Sequence, residues 1–238
     1  PTTCTGKIMD VTDFKYYWNN VPGKGLCRNN LIYTSLINHS KSEFCMWFKH
    51  DSEYHQGHEQ VVDQDLMESK YSREKDFLLS LDVDHKDIVP ELTRIDSDNQ
   101  AIYFKIQGVD FWEESHGKKY EEVLPDWEKQ MLRILEKHKQ LGIYKYSLHP
   151  SSYWIVDREL KNVNYFFAYR NNEPNITVKD HLSHISIERQ KELMPQMNKL
   201  GIEADKPYPF DKLQILCLES FRNVYPDSFI DKAISIYK

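Results

Sequence analysis

Two residues of opposite charge, Lys49 and Glu74, are the first candidates for chemistry in this sequence. Glu74 recurs with Tyr71 and Leu78 at helical spacing, so its carboxylate falls on an apolar helix face. A carboxylate among apolar side chains is costly unless a partner neutralises it. Lys49 follows the apolar run Phe44–Phe48 and is the obvious partner. The alternative is that Glu74 reaches the helix edge and that Lys49 is solvated.

A polar stretch rich in histidines and carboxylates, His50–Glu59, is the next candidate, and its chemistry would be zinc binding. Imidazole and carboxylate groups are ordinary zinc ligands. The stretch has neither an H-E-x-x-H pattern nor a pair of cysteines, which are the spacings typical of zinc sites. We therefore interpret it as a solvated loop and predict no metal site.

A short loop after Gly142 brings hydroxyl groups next to an imidazole, in Ser147, His149, Ser151 and Ser152. A serine that is activated by a neighbouring histidine can act as a nucleophile. No G-x-S-x-G sequence surrounds any of these serines. We expect their hydroxyls to make hydrogen bonds within the loop instead.

The secondary structure that must position these residues changes along the chain. Predicted strands dominate before Gly108, and predicted helices dominate after it. We predict an α+β fold of two lobes. Residues 1–108 form a small, mostly antiparallel β lobe with one inserted helix at about 66–81, and residues 109–238 form a shortened helical lobe. The predicted strands are 31–37, 44–49, 88–95, 101–107, 153–156 and 163–169. The predicted helices of the second lobe are one from Asp126 to the stop at Gly142, and others at 181–199, 212–224 and 228–237.

The serial order of these elements resembles the protein kinase family, and local sequences add to the resemblance. FCMWFK is similar to the third strand of that family, which ends in a lysine, here Lys49. SREKDFLLSL is similar to the helix that offers a glutamate to that lysine, here Glu74. DHKDIVPELTRIDSDNQAIYFKIQGVDFW resembles the fourth and fifth strands with the hinge, and LGIYKYSLHPSSYWIV resembles the helix end and the catalytic loop. The resemblance covers roughly residues 20–170 and implies a protein-kinase-like fold in which Lys49 and Glu74 position nucleotide phosphates.

The positions that carry phosphoryl transfer in the family hold other residues here. In the loop 144–152, Ser147 stands in place of the catalytic aspartate, His149 where a lysine usually follows, and Ser152 in place of a metal-binding asparagine. Asn164 begins the segment in place of Asp-Phe-Gly. A neutral hydroxyl does not accept a proton as a carboxylate does, and Mg²⁺ prefers carboxylates and phosphates. The resemblance therefore implies a degenerate, pseudokinase-like protein with no catalytic residue and no metal site.

Gly23 and Gly25 occupy the position of the family's glycine-rich loop but lack the full G-x-G-x-x-G spacing. A pair of glycines is also typical of a simple turn. With Lys49 and Glu74 they make up the nucleotide-binding set that the resemblance implies. ATP, held weakly and without metal in the cleft between the lobes, is the cofactor so implied.

Three functions follow as hypotheses. The leading one is a binding, regulatory or structural module whose ligand is another protein. The second is an active divergent kinase or nucleotidyl-transfer enzyme that uses a displaced carboxylate, for which Asp110 and Asp157 are candidates. The third is an unrelated α+β domain, in which Lys49 and Glu74 do not approach one another.

Composition narrows the range of partners. The chain has 238 residues and a net charge of -6, which argues against a large nucleic-acid-binding surface. No run approaches the roughly 20 apolar residues that span a bilayer, so we expect no membrane partner. The cysteines Cys4, Cys27, Cys45 and Cys217 are scattered, and no signal-like segment opens the sequence, so we expect a reducing, cytoplasmic location. The many aromatic residues predict a large core or, alternatively, an exposed protein-binding patch; the sequence specifies no oligomeric state.

Overall fold

The computed structural model describes residues 15–16, 34–38, 40–48, 64–105, 108–173, 176–182, 191, 194–195 and 197–238. Within these residues the chain is a mixed α+β protein with small antiparallel sheets and several helices. The strands are β1 (Lys15–Tyr16), β2 (Thr34–Asn38), β3 (Glu43–Trp47), β4 (Leu92–Asp96), β5 (Ala101–Lys105), β6 (Gly108–Asp110), β7 (Ile143–Lys145), β8 (Tyr153–Val156), β9 (Glu159–Asn162) and β10 (Ala168–Arg170). The helices are α1 (Gln64–Asp84), α2 (Phe111–Glu114), α3 (Tyr120–Val123), α4 (Trp127–Gln140), α5 (Val178–Leu182), α6 (Phe210–Glu219) and α7 (Asp227–Ile236).

Five strands form one antiparallel sheet in the order β1-β2-β3-β5-β4. The predicted hairpin is confirmed, with β2 and β3 in register from Thr34 opposite Trp47 to Asn38 opposite Glu43. Phe44–Trp47 are buried at every position, which explains why this strand is apolar without alternation.

The inserted helix predicted at 66–81 is confirmed and extends at both ends as α1. Its predicted inward face, with Tyr71, Glu74, Leu78 and Leu81, is buried. Helical spacing of apolar residues is the strongest indication of secondary structure in a single sequence, and in α1 this spacing continues over three turns.

A second sheet of three strands has the order β6-β8-β9. The strand predicted at 153–156 is confirmed as β8, but the strand predicted at 163–169 is wrong over most of its length. The chain returns earlier, through Asp157 and Arg158, whose φ values of 50° and 66° fit a two-residue hairpin turn. β9 therefore precedes the predicted segment, and residues 165–167 form a 3₁₀ turn before β10.

The chain divides into two compact units that differ from the predicted lobes 1–108 and 109–238. The first unit contains residues 1–116 and 153–166, and the second contains residues 117–152 and 167–238. The β8–β9 hairpin joins the first unit because β8 pairs with β6. The boundary near Gly108 was predicted from a change in amino-acid composition. The pairing of strands determines which residues pack together, and the two criteria give different boundaries.

The second unit has a helical core beside the short antiparallel pair β7–β10. Helical spacing predicts one inner face of α4, and this face is buried. The residues of this face are Trp127, Met131, Ile134, Leu135 and His138. Asp126 begins this helix as predicted, although its carboxylate accepts from the Gln130 amide rather than from a backbone N–H. Gly142 ends it with a φ of 66°, a conformation that favours glycine. The predicted closing helices are α6 and α7, while most of the predicted helix 181–199 lies outside the described residues.

Candidate functional site

The carboxylate of Glu74 meets the backbone of the segment that stands in place of Asp-Phe-Gly. Glu74 is fully buried on α1, and its Oε1 accepts a hydrogen bond from the Asn164 N–H at 3.0 Å. Hydrogen bonds to an ionised acceptor are stronger than neutral ones. The alternative that this carboxylate reaches the helix edge is therefore wrong, because Glu74 is fully buried and a donor 90 residues away along the chain lies within reach of it.

Asn164 itself adopts a left-handed conformation, with a φ of 66°, and is completely buried. Asparagine is one of the few residue types that enters this region at low cost. The 3₁₀ turn that follows is held by aromatic contacts. The Tyr165 ring stacks on Phe77 at 5.6 Å, and the Phe166 ring meets Phe48 edge-on at 6.4 Å.

The Tyr165 hydroxyl lies in the same buried surroundings. Burial raises the pKa of Tyr165 well above its ordinary value, and the nearby charge of Glu74 raises it further. The phenol is therefore neutral at all working pH values, so this aromatic turn adds no charge beside the Glu74 carboxylate.

The other predicted nucleotide-binding residues, Lys49, Gly23 and Gly25, lie outside the described residues. The same holds for the histidine-rich stretch His50–Glu59. The ion pair between Lys49 and Glu74 accordingly stays a prediction. In the described ranges no group of three or more histidine, cysteine or acidic side chains is arranged to hold a metal ion.

The predicted loop hydroxyls of the second unit bond to one another. The Oγ atoms of Ser147 and Ser152 lie 3.0 Å apart, and both residues are buried. A hydroxyl facing a hydroxyl provides no base of the kind that a carboxylate or imidazole supplies. This hydrogen bond can therefore brace the loop.

His149 contacts a different serine, with 2.9 Å between its Nδ1 and the Ser151 Oγ. The Ser151 backbone N–H also donates to this nitrogen, at 3.2 Å. Both contacts join residues two positions apart in the turn that leads into Pro150–Ser152. They match the expectation of loop hydroxyls bonded within the loop.

The two candidates for a displaced carboxylate have local structural roles. Asp110 caps α2, since its Oδ1 accepts from the Glu113 N–H at 3.0 Å. Asp157 lies exposed in the tight turn between β8 and β9. Helix caps and hairpin turns are frequent uses of aspartate in any fold.

Two basic residues of the second unit, His138 and Lys145, are each only 1% exposed, and no pattern in the sequence indicated that Lys145 is buried. The Lys145 ammonium group donates to the carbonyl of Ser147. Burial lowers the pKa of His138 from 6.5 to about 3, and the positive charge of Lys145 contributes to this shift. The apolar spacing of α4 already placed His138 on the inner face, whereas no local signal marks a lysine in a three-residue strand as buried.

No family model matches this chain, and no curated protein matches it either. Among solved structures, a crystal structure of WbdD shares 10% sequence identity over 90% of this chain and 44% of its own, with a TM-score of 0.46. A complex of WbdD with a kinase inhibitor gives 11% identity over 86% and 42%, with a TM-score of 0.45. A third structure, of the bifunctional kinase-methyltransferase WbdD, gives 12% identity over 94% and 45%, with a TM-score of 0.47. The chain spans less than half of the length of these proteins, and likeness at this level does not establish a shared fold.

No helix in the described part of the chain combines the length and the apolar character needed to cross a membrane. Cys45 and Cys217 are buried thiols, and Cys4 and Cys27 lie outside the described ranges.

Proposed function

We propose that this chain is a kinase-like protein that does not carry out conventional phosphoryl transfer and acts as a protein-binding, regulatory or structural module. The observation that carries this proposal is the hydrogen bond from the Asn164 N–H to Glu74. The resemblance to the kinase family assigns these two residues, which lie far apart in the sequence, to neighbouring parts of one site. Their contact agrees with that assignment, although the resemblance itself named Lys49 as the partner of Glu74.

The side chains at the assigned positions support the loss of phosphoryl transfer. That reaction depends on a carboxylate that accepts the substrate proton and on carboxylate or amide oxygens that hold Mg²⁺. Here the corresponding hydroxyls of Ser147 and Ser152 bond to one another, and Asn164 supplies no carboxylate. The active-enzyme alternative would use Asp110 or Asp157. In the structure, Asp110 caps a helix and Asp157 lies in a hairpin turn.

ATP binding without metal, through Lys49 and Glu74, belongs to this proposal, and so does a protein partner in a reducing, cytoplasmic setting. The scattered cysteines and the two buried thiols support that setting. The net charge of -6 supports a partner other than nucleic acid.

A thermal-shift titration separates the hypotheses. The melting temperature is followed while ATP is added in Mg²⁺ and, separately, in EDTA, since a ligand that binds only the folded state raises it. We expect a modest rise that is equal in both buffers and that Lys49→Ala removes. A rise that requires Mg²⁺ would favour the active enzyme, and no rise at millimolar ATP would leave a module that acts through protein contacts alone.

Glu74→Gln is a second variant for this experiment. It removes the charge that would hold Lys49 and keeps a side chain of similar shape. We expect it to weaken the ATP response while the protein stays folded. An ATP response that survives both Lys49→Ala and Glu74→Gln would contradict the assignment of these residues to nucleotide binding.

A further inference from the structure

Four consecutive backbone carbonyls in the second unit, those of residues 145–148, each accept a hydrogen bond from a side chain. Two of the donors lie on α6. The Gln214 Nε2 group donates to the carbonyl of Lys145 at 3.0 Å, and the Cys217 thiol donates to the carbonyl of Tyr146 at 3.3 Å. Gln214 and Cys217 are three residues apart, so they share one face of the helix, and both are buried.

The other two donors complete the series. The Tyr225 hydroxyl, from the turn after α6, donates to the carbonyl of Leu148 at 2.6 Å. The Lys145 ammonium group donates to the carbonyl of Ser147 from within the segment. The Tyr225 ring is fixed by stacking on Trp127, with ring centroids 6.0 Å apart.

A buried carbonyl that loses its donor carries the full cost of its desolvation, and so does a buried donor that loses its acceptor. Moving residues 145–148 alone would separate three such pairs at the same time, while α6 kept its own buried donors. Moving the segment together with α6 keeps the pairs with Gln214 and Cys217 intact and separates only the pair with Tyr225. Concerted motion is therefore the favoured way for this part of the chain to change conformation.

We infer that residues 145–148 and the side chains of Gln214, Cys217 and Tyr225 form a latch, in which the loop that carries Ser147 opens only when α6 detaches with it. The latch couples two regions that are about 70 residues apart in the chain. A protein partner that binds the C-terminal helices would thereby control the loop, and a ligand on the loop would be sensed at α6. This inference concerns regulation and holds whether or not a nucleotide binds.

Tyr225→Phe tests the latch because it removes one hydroxyl and keeps the ring that packs on Trp127. Tyr120→Phe is the matched control. The Tyr120 hydroxyl belongs to the same aromatic cluster and also donates to a backbone carbonyl, that of Val224 at 2.9 Å, but it does not touch the loop. The two variants therefore lose the same chemical group, from a buried hydrogen bond in Tyr225→Phe and from a partly buried one in Tyr120→Phe.

The readout is the rate at which Cys217 reacts with a thiol reagent under native conditions, in a background that carries Cys4→Ser and Cys27→Ser. Cys217 is 4% exposed, so it reacts only when α6 opens, and the fully buried Cys45 of the first unit reports opening elsewhere. Hydrogen exchange of the Tyr146 and Leu148 amides, which donate to the carbonyls of residues 167 and 146, reports the loop itself.

We expect Tyr225→Phe to raise the labelling rate of Cys217 and the exchange rates of both loop amides by a similar factor of roughly 3 to 10, the equivalent of one lost hydrogen bond. Tyr120→Phe should change the ratio of the Cys217 rate to the Cys45 rate less than twofold. Gln214→Met is the second variant, because it removes a different donor of the latch and keeps a similar volume.

Three results would overturn the inference. Loop amides that exchange faster while Cys217 labelling stays constant would show that the loop moves without α6. Equal acceleration of Cys45 would show a general loss of stability rather than a latch. Unchanged rates in both Tyr225→Phe and Gln214→Met would show that these hydrogen bonds do not restrain the loop.

Discussion

Acidification should destabilise this protein through one buried side chain, His138. Its pKa lies at about 3 in the folded state, against an ordinary 6.5, because it is buried on α4 and faces the charge of Lys145. The folded state therefore keeps His138 neutral, while the unfolded state binds a proton below pH 6.5. The unfolded state takes up more protons throughout this window, so stability is complete above about pH 6.5 and falls as the pH is lowered toward 3.

The magnitude at pH 5 follows from the pKa difference. The unfolded imidazole gains about 1.36 kcal/mol for each pH unit below 6.5, so the contribution of His138 to the free energy of unfolding decreases by about 2 kcal/mol between pH 7.5 and pH 5. Urea unfolding followed by tryptophan fluorescence at these two pH values measures the decrease. His138→Gln removes the titrating group and should show a loss smaller by about 2 kcal/mol.

The comparison of variants isolates His138 because the carboxylates of the chain titrate in both proteins. His116→Gln is the control for the substitution itself, since His116 lies exposed on the surface. Equal losses in wild type and His138→Gln would refute the reasoning, and so would a loss in His116→Gln as small as that in His138→Gln. Equal losses would mean that His138 is accessible to protons in the folded state, and a small loss in His116→Gln would mean that the pH effect is not specific to His138.

Three further predictions concern stability, and urea denaturation measures each. Glu74→Gln removes the charge on the acceptor of the Asn164 N–H and should lower the free energy of unfolding by about 1 to 3 kcal/mol. An apo protein of unchanged stability would contradict the buried contact. Asn164→Ala should be less stable than Asn164→Gly by about 1 kcal/mol, because alanine is strained at a φ of 66°; equal stabilities would argue against this backbone conformation. Gly142→Ala should cost more than Gly117→Ala, since both have positive φ but only at Gly142 would a Cβ meet the Asn171 side chain, at 2.7 Å.

Sequence patterns predicted those elements in which burial alone determines which positions are apolar. The helix α1 was predicted because its buried face repeats with helical spacing, and β3 because every position is apolar. The strand 163–169 was mispredicted because its apolar run is buried in a 3₁₀ turn and a short strand rather than in one strand. The turn at Asp157 and Arg158 contains no glycine, so the usual sequence signal for a tight hairpin was missing.

In the candidate site, the sequence alone predicted only that one buried residue, Glu74, requires a hydrogen-bonding or ionic partner. The reason is that a carboxylate on an apolar face requires a donor. One donor is a backbone N–H, which no sequence pattern announces, and the ion pair with Lys49 stays a prediction. Lys145 gave no such signal. Its burial depends on the carbonyl of Ser147, which becomes available only when the loop has folded back on it.

These contacts show how polar groups are held in the interior of each unit. In an active site, a buried base or acid must remain available to a substrate, and that availability costs stability. Here the hydroxyls of Ser147 and Ser152 satisfy one another, and Glu74 is bonded to Asn164. Groups that are satisfied internally rigidify the chain around them. The latch experiment and the ATP titration therefore test different properties of the protein. The first asks whether the loop is held, and the second asks whether a nucleotide binds.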